Sequence, residues 1–206
     1  MPADRSFRVI ETFGWDGARF VRIWAHLARL ERTCARFGIR FDRGEVLVWL
    51  DSFDLGAAAE RVRVTVDRDG LVTASHALLG PSPAVWRVAV ADVRVRADDP
   101  WLQVKTSQRA LYDLARANLP VGVQEMIFLN QRGEVAEGAI TSVFFDAGTG
   151  LCTPPLACGA LPGVLRAEMI GQGCREAVLL AGDLGRVRLW VGNSLRGMIP
   201  VQVEEM

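Results

Sequence analysis

One side chain in this sequence can do something its neighbours cannot. Lys105, in VKTSQRALYD, is the only lysine, and the other 23 of the 24 Lys and Arg residues are arginine; Tyr112, in the same stretch, is the only tyrosine. A primary amine condenses with a carbonyl to form an imine, and a guanidinium does not. In an apolar setting the pKa of an amine also falls, so that it serves as a base near neutral pH. A lysine left by chance in an arginine-rich sequence would do neither, so the neighbourhood has to decide. Arg109 and Tyr112 follow at +4 and +7, a spacing that shares one face if a helix begins early. Downstream, GEVAEGAITSVFF sets Glu137 beside an apolar strand, where a carboxylate needs a partner. ALPGVLR opens a helix at Pro162 and Gly163, and GNSLRG sets Asn193 and Ser194 after a strand. Helix starts and small polar loops of this kind offer backbone N–H groups to a phosphate. A lysine, a carboxylate and phosphate-binding loops make up the protein's side of a pyridoxal 5'-phosphate (PLP) site.

The elements that must position these groups follow from periodicity and punctuation. SFRVIETF alternates as a strand, and the Asp16-Gly17 pair signals a hairpin into ARFVRI. IWAHLARLERTCARFG repeats Ile23, Leu27, Leu30, Cys34 and Phe37 at helical spacing, with Gly38 at the expected cap. GEVLVWLDSFDL reads as a second helix, RVRVTVDRDGLVTASHALL as a β-hairpin about Asp69-Gly70, and WRVAVADVRV as a strand. WLQV is a short extended segment before Lys105, and SQRALYDLARANL is helical. Then come the strand QEMIFLN, the turn NQRG, the strand AITSVFFD, the loop TPPLACGALPG, the helix VLRAEMIGQG, the strand VRLWVGN and the loop SLRGMIP. Charged, proline-punctuated RADDPW at 96–101 marks a boundary. The order is α+β in two lobes, a small N-terminal lobe over 1–97 and a larger one over 98–206 carrying the lysine, with the cofactor expected between them.

Composition removes several classes of function. A chain of 206 residues buries roughly 70% of its unfolded surface, enough for one large or two small cores. Its net charge is zero, which argues against nucleic-acid binding through phosphates. No apolar run reaches the roughly 18 residues that span a membrane, and MPADRSFRVIE lacks the apolar region of a secretory signal, so a cytoplasmic protein is expected. Cys34, Cys152, Cys158 and Cys174 form no CxxC pair, so they read as buried reduced thiols and no metal site is expected. GQGCRE at 171–176 ends a helix rather than following a strand and so fails as a dinucleotide fingerprint. His26 and His76 have no acid or nucleophile at a telling spacing and read as structural.

Taken in order, VIETF, HLARLERTCARFGI, VKTSQRALYD, FLNQRGEVAEGAITSVFF, TPPLACGALPGVLR and NSLRGMIPV resemble the class IV aminotransferase family of fold type IV PLP enzymes. That resemblance implies a two-lobed, D-amino acid aminotransferase-like architecture, usually a homodimer. It matches Lys105 to the lysine that holds PLP covalently, and Glu137 to the carboxylate paired with the pyridine nitrogen. Arg29 matches an arginine that grips the phosphate. Gly163, Val164 and Leu165 match the helix start that binds phosphate through its backbone, and Ser194 with Asn193 matches the second phosphate loop. Three positions differ from the family pattern: Leu165 stands where threonine is common, Ser142 where asparagine is usual, and Ala110 where a tyrosine often faces the cofactor.

The KTxxR form, the TPPL to LPG loop and NSLRG are most similar to 4-amino-4-deoxychorismate lyases, which make 4-aminobenzoate and pyruvate for folate and work with aminodeoxychorismate synthase. Thr12, Arg109 and Tyr112 are then candidate substrate contacts. An aminotransferase acting on branched-chain or D-amino acids is the alternative, with Arg63, Arg68 or Arg109 reading a carboxylate. A degenerate, PLP-binding non-enzyme is the third.

Overall fold

Residues 7–204 are described in a computed structural model of the chain. Ser6, the first residue of the expected SFRVIETF strand, and the polar residues before it lie outside the described residues. The chain divides into two compact units, Met1–Pro81 with Lys105–Gln108, and Ser82–Val104 with Arg109–Met206. Residues 96–101, the boundary expected from composition, thus fall inside the second unit, and Lys105 belongs to the first.

The first unit is built on three antiparallel strands, β1 (Val9–Trp15), β2 (Glu60–Val66) and β3 (Val72–Leu78), in that spatial order. Strand β2 shows why: Val62, Val64 and Val66 are fully buried while Arg61 and Arg63 face water, the period of two that a half-buried strand requires. Helix α1 (Ile23–Arg36) packs on β1, and α2 (Arg43–Asp51) packs on β3. The i, i+3, i+4 row of α1 buries His26, Leu27, Arg29, Leu30, Thr33 and Cys34. Strand β1 is buried over most of its length, Glu11 included.

The outer edge of β1 is taken by residues 105–107. Ile10 N–H donates to the Lys105 carbonyl at 2.9 Å, Ser107 N–H donates to the Arg8 carbonyl at 2.8 Å, and Val9 and Thr106 form a bridge between them. WLQV, expected to be extended, is a run of turns instead, with Leu102 N–H on the Asp99 carbonyl and Val104 N–H on that of Trp101. Because residues 106 and 107 are spent on β1, helix α3 (Ala110–Ala117) starts at Ala110, three residues later than the pattern predicts. Lys105, Arg109 and Tyr112 therefore do not share one helix face.

ARFVRI does not continue as a strand. Asp16 Oδ1 accepts from the N–H groups of Ala18 and Arg19 at 3.0 and 2.9 Å, a local turn that competes with a ladder. Only Trp15 and Phe20 bridge, and Arg22 at φ 56° delivers the chain into α1. At the other end of the helical region, Ser52 Oγ donates to the Trp49 carbonyl and α2 stops at Asp51, leaving SFDL outside the helix.

The second unit is an eight-stranded mixed sheet. Its strands are β4 (Trp86–Val95), β5 (Glu125–Asn130), β6 (Val135–Gly138), β7 (Ser142–Asp146), β8 (Cys152–Thr153), β9 (Arg175–Glu176), β10 (Arg188–Asn193) and β11 (Gly197–Val203). They lie in the order β6-β5-β4-β11-β10-β7-β8-β9, with β4 parallel to both neighbours. Val88, Ile127, Val135, Val143 and Val191 form the fully buried centre of its core. Helix α3 packs on β5, and α4 (Val164–Gly171) packs on β10. SLRGMIP, expected as a loop, supplies most of β11, an interior strand. Its Pro200 argues against such a strand because it cannot donate to a ladder. The sheet tolerates it because Pro200 faces Trp190, while pairing with β4 begins one residue later at Val201. The α+β expectation holds. Among the described residues no helix is long and apolar enough to cross a membrane.

Gly17 carries a sharp local constraint in the first unit. Its φ is 96°, and a Cβ there would lie 2.5 Å from the Ala57 carbonyl oxygen. Gly17→Ala should lower stability by about 1–3 kcal/mol, seen as a reduced urea midpoint at unchanged slope.

Candidate active site

In the first unit the candidate residues lie on β1, on α1 and on the segment that pairs with the edge of β1. Glu11 is 1% exposed in the apolar strand VIETF, a position that is costly unless every lone pair is met. Arg29 meets it with a fork, Nε to Oε1 and Nη2 to Oε2, both at 2.7 Å. His26 Nδ1 lies 2.6 Å from Oε2. The two partners are three residues apart on α1 and so project from one face. Burial raises the Glu11 carboxyl, but the Arg29 guanidinium and the hydrogen bonds outweigh it and hold the group down at about 2. Burial pushes His26 below its ordinary value despite Glu11, so its ring is neutral at pH 7 and donates from Nδ1. The charge of Lys105 acts in the same direction on His26.

Lys105 is half-buried and its main chain is pinned to Ile10, the residue before Glu11. Thr12, the next residue of the strand, is half-buried opposite Arg63 in the register with β2.

The second unit gathers a different set. Glu137 lies inside β6, 8% exposed. Its Oε1 accepts from the Tyr112 hydroxyl at 2.7 Å and its Oε2 from Leu161 N–H at 2.9 Å. The Tyr112 ring stacks edge-on against Phe128, with centroids 4.8 Å apart. Burial, with the Glu137 charge behind it, pushes the phenol well above its ordinary value, so Tyr112 remains a donor throughout the physiological range. The lone tyrosine is thus more than a packed aromatic. Arg109, expected at the substrate, donates from Nη2 to the Ala139 carbonyl at 2.7 Å and from Nε to Asp113 at 2.8 Å.

Two further features shape the turn that follows Glu137. Glu125 is fully buried, and burial raises its pKa. Its oxygens accept from Ala139 N–H, Ile140 N–H and the Thr141 hydroxyl at 3.1, 3.1 and 2.9 Å. Gly138 makes room for this, because a Cβ would stand 2.2 Å from Thr141 Oγ1.

The two loops read as phosphate sites are brought together. Gly163 caps α4 with no side-chain hydrogen bond to the first turn, leaving that turn to other partners. A Cβ on Gly163 would lie 2.9 Å from Ser142 Oγ. A Cβ on Gly192 would lie 2.8 Å from Leu165 Cδ2 and 2.7 Å from the Gly197 carbonyl, so the start of α4 rests directly on the β10–β11 turn. Asn193 forms that turn: Oδ1 accepts from Leu195 and Arg196 N–H, and Nδ2 donates to the Ile140 carbonyl. Ser194 is buried within it.

Within the second unit, a carboxylate with fixed donors and the glycine-lined approach of the α4 start to the β10–β11 turn are of the kind that suits a pyridine nitrogen and a phosphate. The solitary amine of the first unit is of the kind that suits an aldehyde. Arg29 is a buried cation of the first unit. Sequence reasoning missed Glu11 and Glu125, although a lone acid within VIETF and at the head of EMIFLN was the available signal. It also gave His26 and His76 no acid partner. His26 has Glu11, and His76 Nδ1 lies 2.5 Å from Glu60 Oε2. No group of three or more His, Cys, Asp or Glu able to hold a metal occurs among the described residues.

A family model described as amino-transferase class IV matches residues 8–203. The chain is 27% identical over 234 residues to an aminodeoxychorismate lyase of Bacillus subtilis (strain 168), covering 96% of this chain and 78% of that protein. Among solved structures, one from Mesorhizobium loti named as an amino-acid aminotransferase is 42% identical, with a TM-score of 0.91, over 96% of this chain and all of that one. A hypothetical aminotransferase from Mycobacterium tuberculosis, in its PLP-bound form, is 21% identical with a TM-score of 0.76, over 96% and 81% of the two chains.

Tyr112→Phe removes the donor on Glu137 Oε1 and should cost about 1–3 kcal/mol. The phenol is raised in the folded state, so its contribution is full below its ordinary value near 10 and declines as pH rises above it. Urea midpoints measured across that range should fall for the native chain and stay flatter for Tyr112→Phe.

Proposed function

The chain belongs to the class IV amino-transferase family, whose members are PLP-dependent enzymes, and we propose that it binds PLP and acts as a lyase on 4-amino-4-deoxychorismate. The observation that carries this choice of reaction is the likeness, over 96% of the chain, to an aminodeoxychorismate lyase. The amine, the carboxylate and the glycine-walled cradle are the features that support the cofactor.

PLP, when bound, supplies an electron sink next to the amine-bearing carbon. Lys105 Nζ is the attachment point and the base that takes the proton from that carbon. Glu137 keeps a proton on the pyridine nitrogen. Tyr112 and Leu161 N–H hold the Glu137 carboxylate to that task, since both of its oxygens are oriented by donors. The start of α4 and the Asn193–Ser194 turn bind the phosphate, with Arg29 as its cation. In the substrate the ring C–H at the amine-bearing carbon is lost and the C–O bond to the enolpyruvyl group breaks. The ring becomes aromatic, and the released enol takes up a proton to give pyruvate. Atoms balance without water or a second substrate.

The 42% identical Mesorhizobium loti protein favours a second reading, transfer of an amino group from an amino acid to a keto acid with the same lysine moving the proton. The two readings separate in one assay. Purified protein with chorismate, glutamine and aminodeoxychorismate synthase should form 4-aminobenzoate and pyruvate in equal amounts. Keto-acid formation from amino acids without 4-aminobenzoate would reject the lyase. Lys105→Arg should abolish the borohydride-sensitive visible absorbance and lower turnover by about 10²–10⁴-fold or more. Survival of that absorbance in the variant would remove Lys105 as the attachment point.

A further inference from the structure

Arg29 is a guanidinium 8% exposed at its side chain, and a buried cation without a counterion is strongly destabilising. Glu11 answers it through the Nε–Nη2 edge, so the fork does not use Nη1. A planar fork with both bonds at 2.7 Å leaves the guanidinium little rotational freedom. His26 then fixes Glu11 from the side: its ring approaches Oε2 and leans on Phe13, with centroids 5.2 Å apart. Thr33 Oγ1 donates to the Arg29 carbonyl one turn on and steadies the same stretch of α1. For stability alone a buried ion pair offers little over apolar packing, so its distinctive effect is on direction.

Strand β1 ties this arrangement to the amine. Ile10 N–H holds the Lys105 main chain at 2.9 Å, and the next residue along the strand is Glu11. Lys105 and Arg29 are thus both referred to adjacent residues of one strand, the first by a main-chain hydrogen bond and the second through a carboxylate fork.

We propose that Glu11, braced by His26, is a positioning residue that aims the Arg29 guanidinium at the cofactor phosphate and sets its place relative to Lys105. The inference rests on the reading of Arg29 as the phosphate's cation. In this role Glu11 touches neither cofactor nor substrate; it selects for the phosphorylated cofactor through Arg29.

The test is equilibrium titration of the cofactor-free protein with PLP and, separately, with pyridoxal, which carries the same aldehyde and ring but no phosphate. Glu11→Gln keeps the volume but removes the charge. It should weaken PLP about 10- to 100-fold while pyridoxal stays within about two-fold. An equal loss for both ligands, or no loss for either, overturns the proposal. Arg29→Lys separates this from its premise. If Arg29→Lys leaves the ratio of PLP to pyridoxal affinity unchanged, the phosphate reading of Arg29 itself fails. If Arg29→Lys collapses the ratio and Glu11→Gln does not, only the positioning role fails. Should Glu11→Gln show no cooperative melt, Glu11→Asp carries the test, since it retains the charge but withdraws the carboxylate by one methylene. Selective loss of PLP affinity in Glu11→Asp supports the proposal, and wild-type affinity for both ligands overturns it.

Discussion

A carboxylate removed from water has to be answered by donors held in place, and this chain meets that demand three times at the positions that matter. Glu11 is answered by a guanidinium and an imidazole, Glu137 by a phenol and a backbone N–H, and Glu125 by three backbone N–H groups and a hydroxyl. The three solutions differ electrically. Glu11 is driven to about 2 by a full positive charge, whereas Glu125, met mainly by neutral donors, is raised by its burial. Each solution also fixes something else: Glu11 the orientation of Arg29, Glu137 the joint between α3 and the loop before α4, and Glu125 the turn that leads from Glu137 to β7.

That arrangement explains the unusual composition of the site. Tyr112, the sole tyrosine, joins a rigid aromatic body packed on Phe128 to a hydroxyl held on Glu137. Glycine appears where chains must approach closely: Gly138 under Glu125, Gly163 beside Ser142, and Gly192 beneath Leu165. The family membership places enzymatic PLP chemistry on this frame.

Much of this could be read from residue types alone, and the boundary of legibility has a physical cause. Lys105 announced itself by chemistry no arginine supplies, and the helix of HLARLERTCARFG by a repeat that local geometry enforces. Partnerships across the fold were hidden, since 25 residues separate Tyr112 from Glu137 and 15 separate Glu11 from His26. The loop reading of SLRGMIP failed because β11 owes its strand to tertiary pairing on both sides, which no local pattern displays. The late start of α3 was equally invisible, since it depends on β1 claiming residues 105–107 for its outer edge.

That claim makes the first unit discontinuous in the chain, which leaves it at Pro81, returns for Lys105–Gln108 and leaves again. A gene fragment ending at residue 97 would carry every strand and helix of that unit and still be incomplete. The Ile10 N–H and the Arg8 carbonyl would stand unpaired along an open sheet edge, the kind that recruits a strand from another molecule. On the ribosome the same unit cannot close until residue 108 has emerged. By then the first strand of the second unit, β4, has already been made. The segment bearing the lysine is therefore the last piece of the first unit to be synthesised.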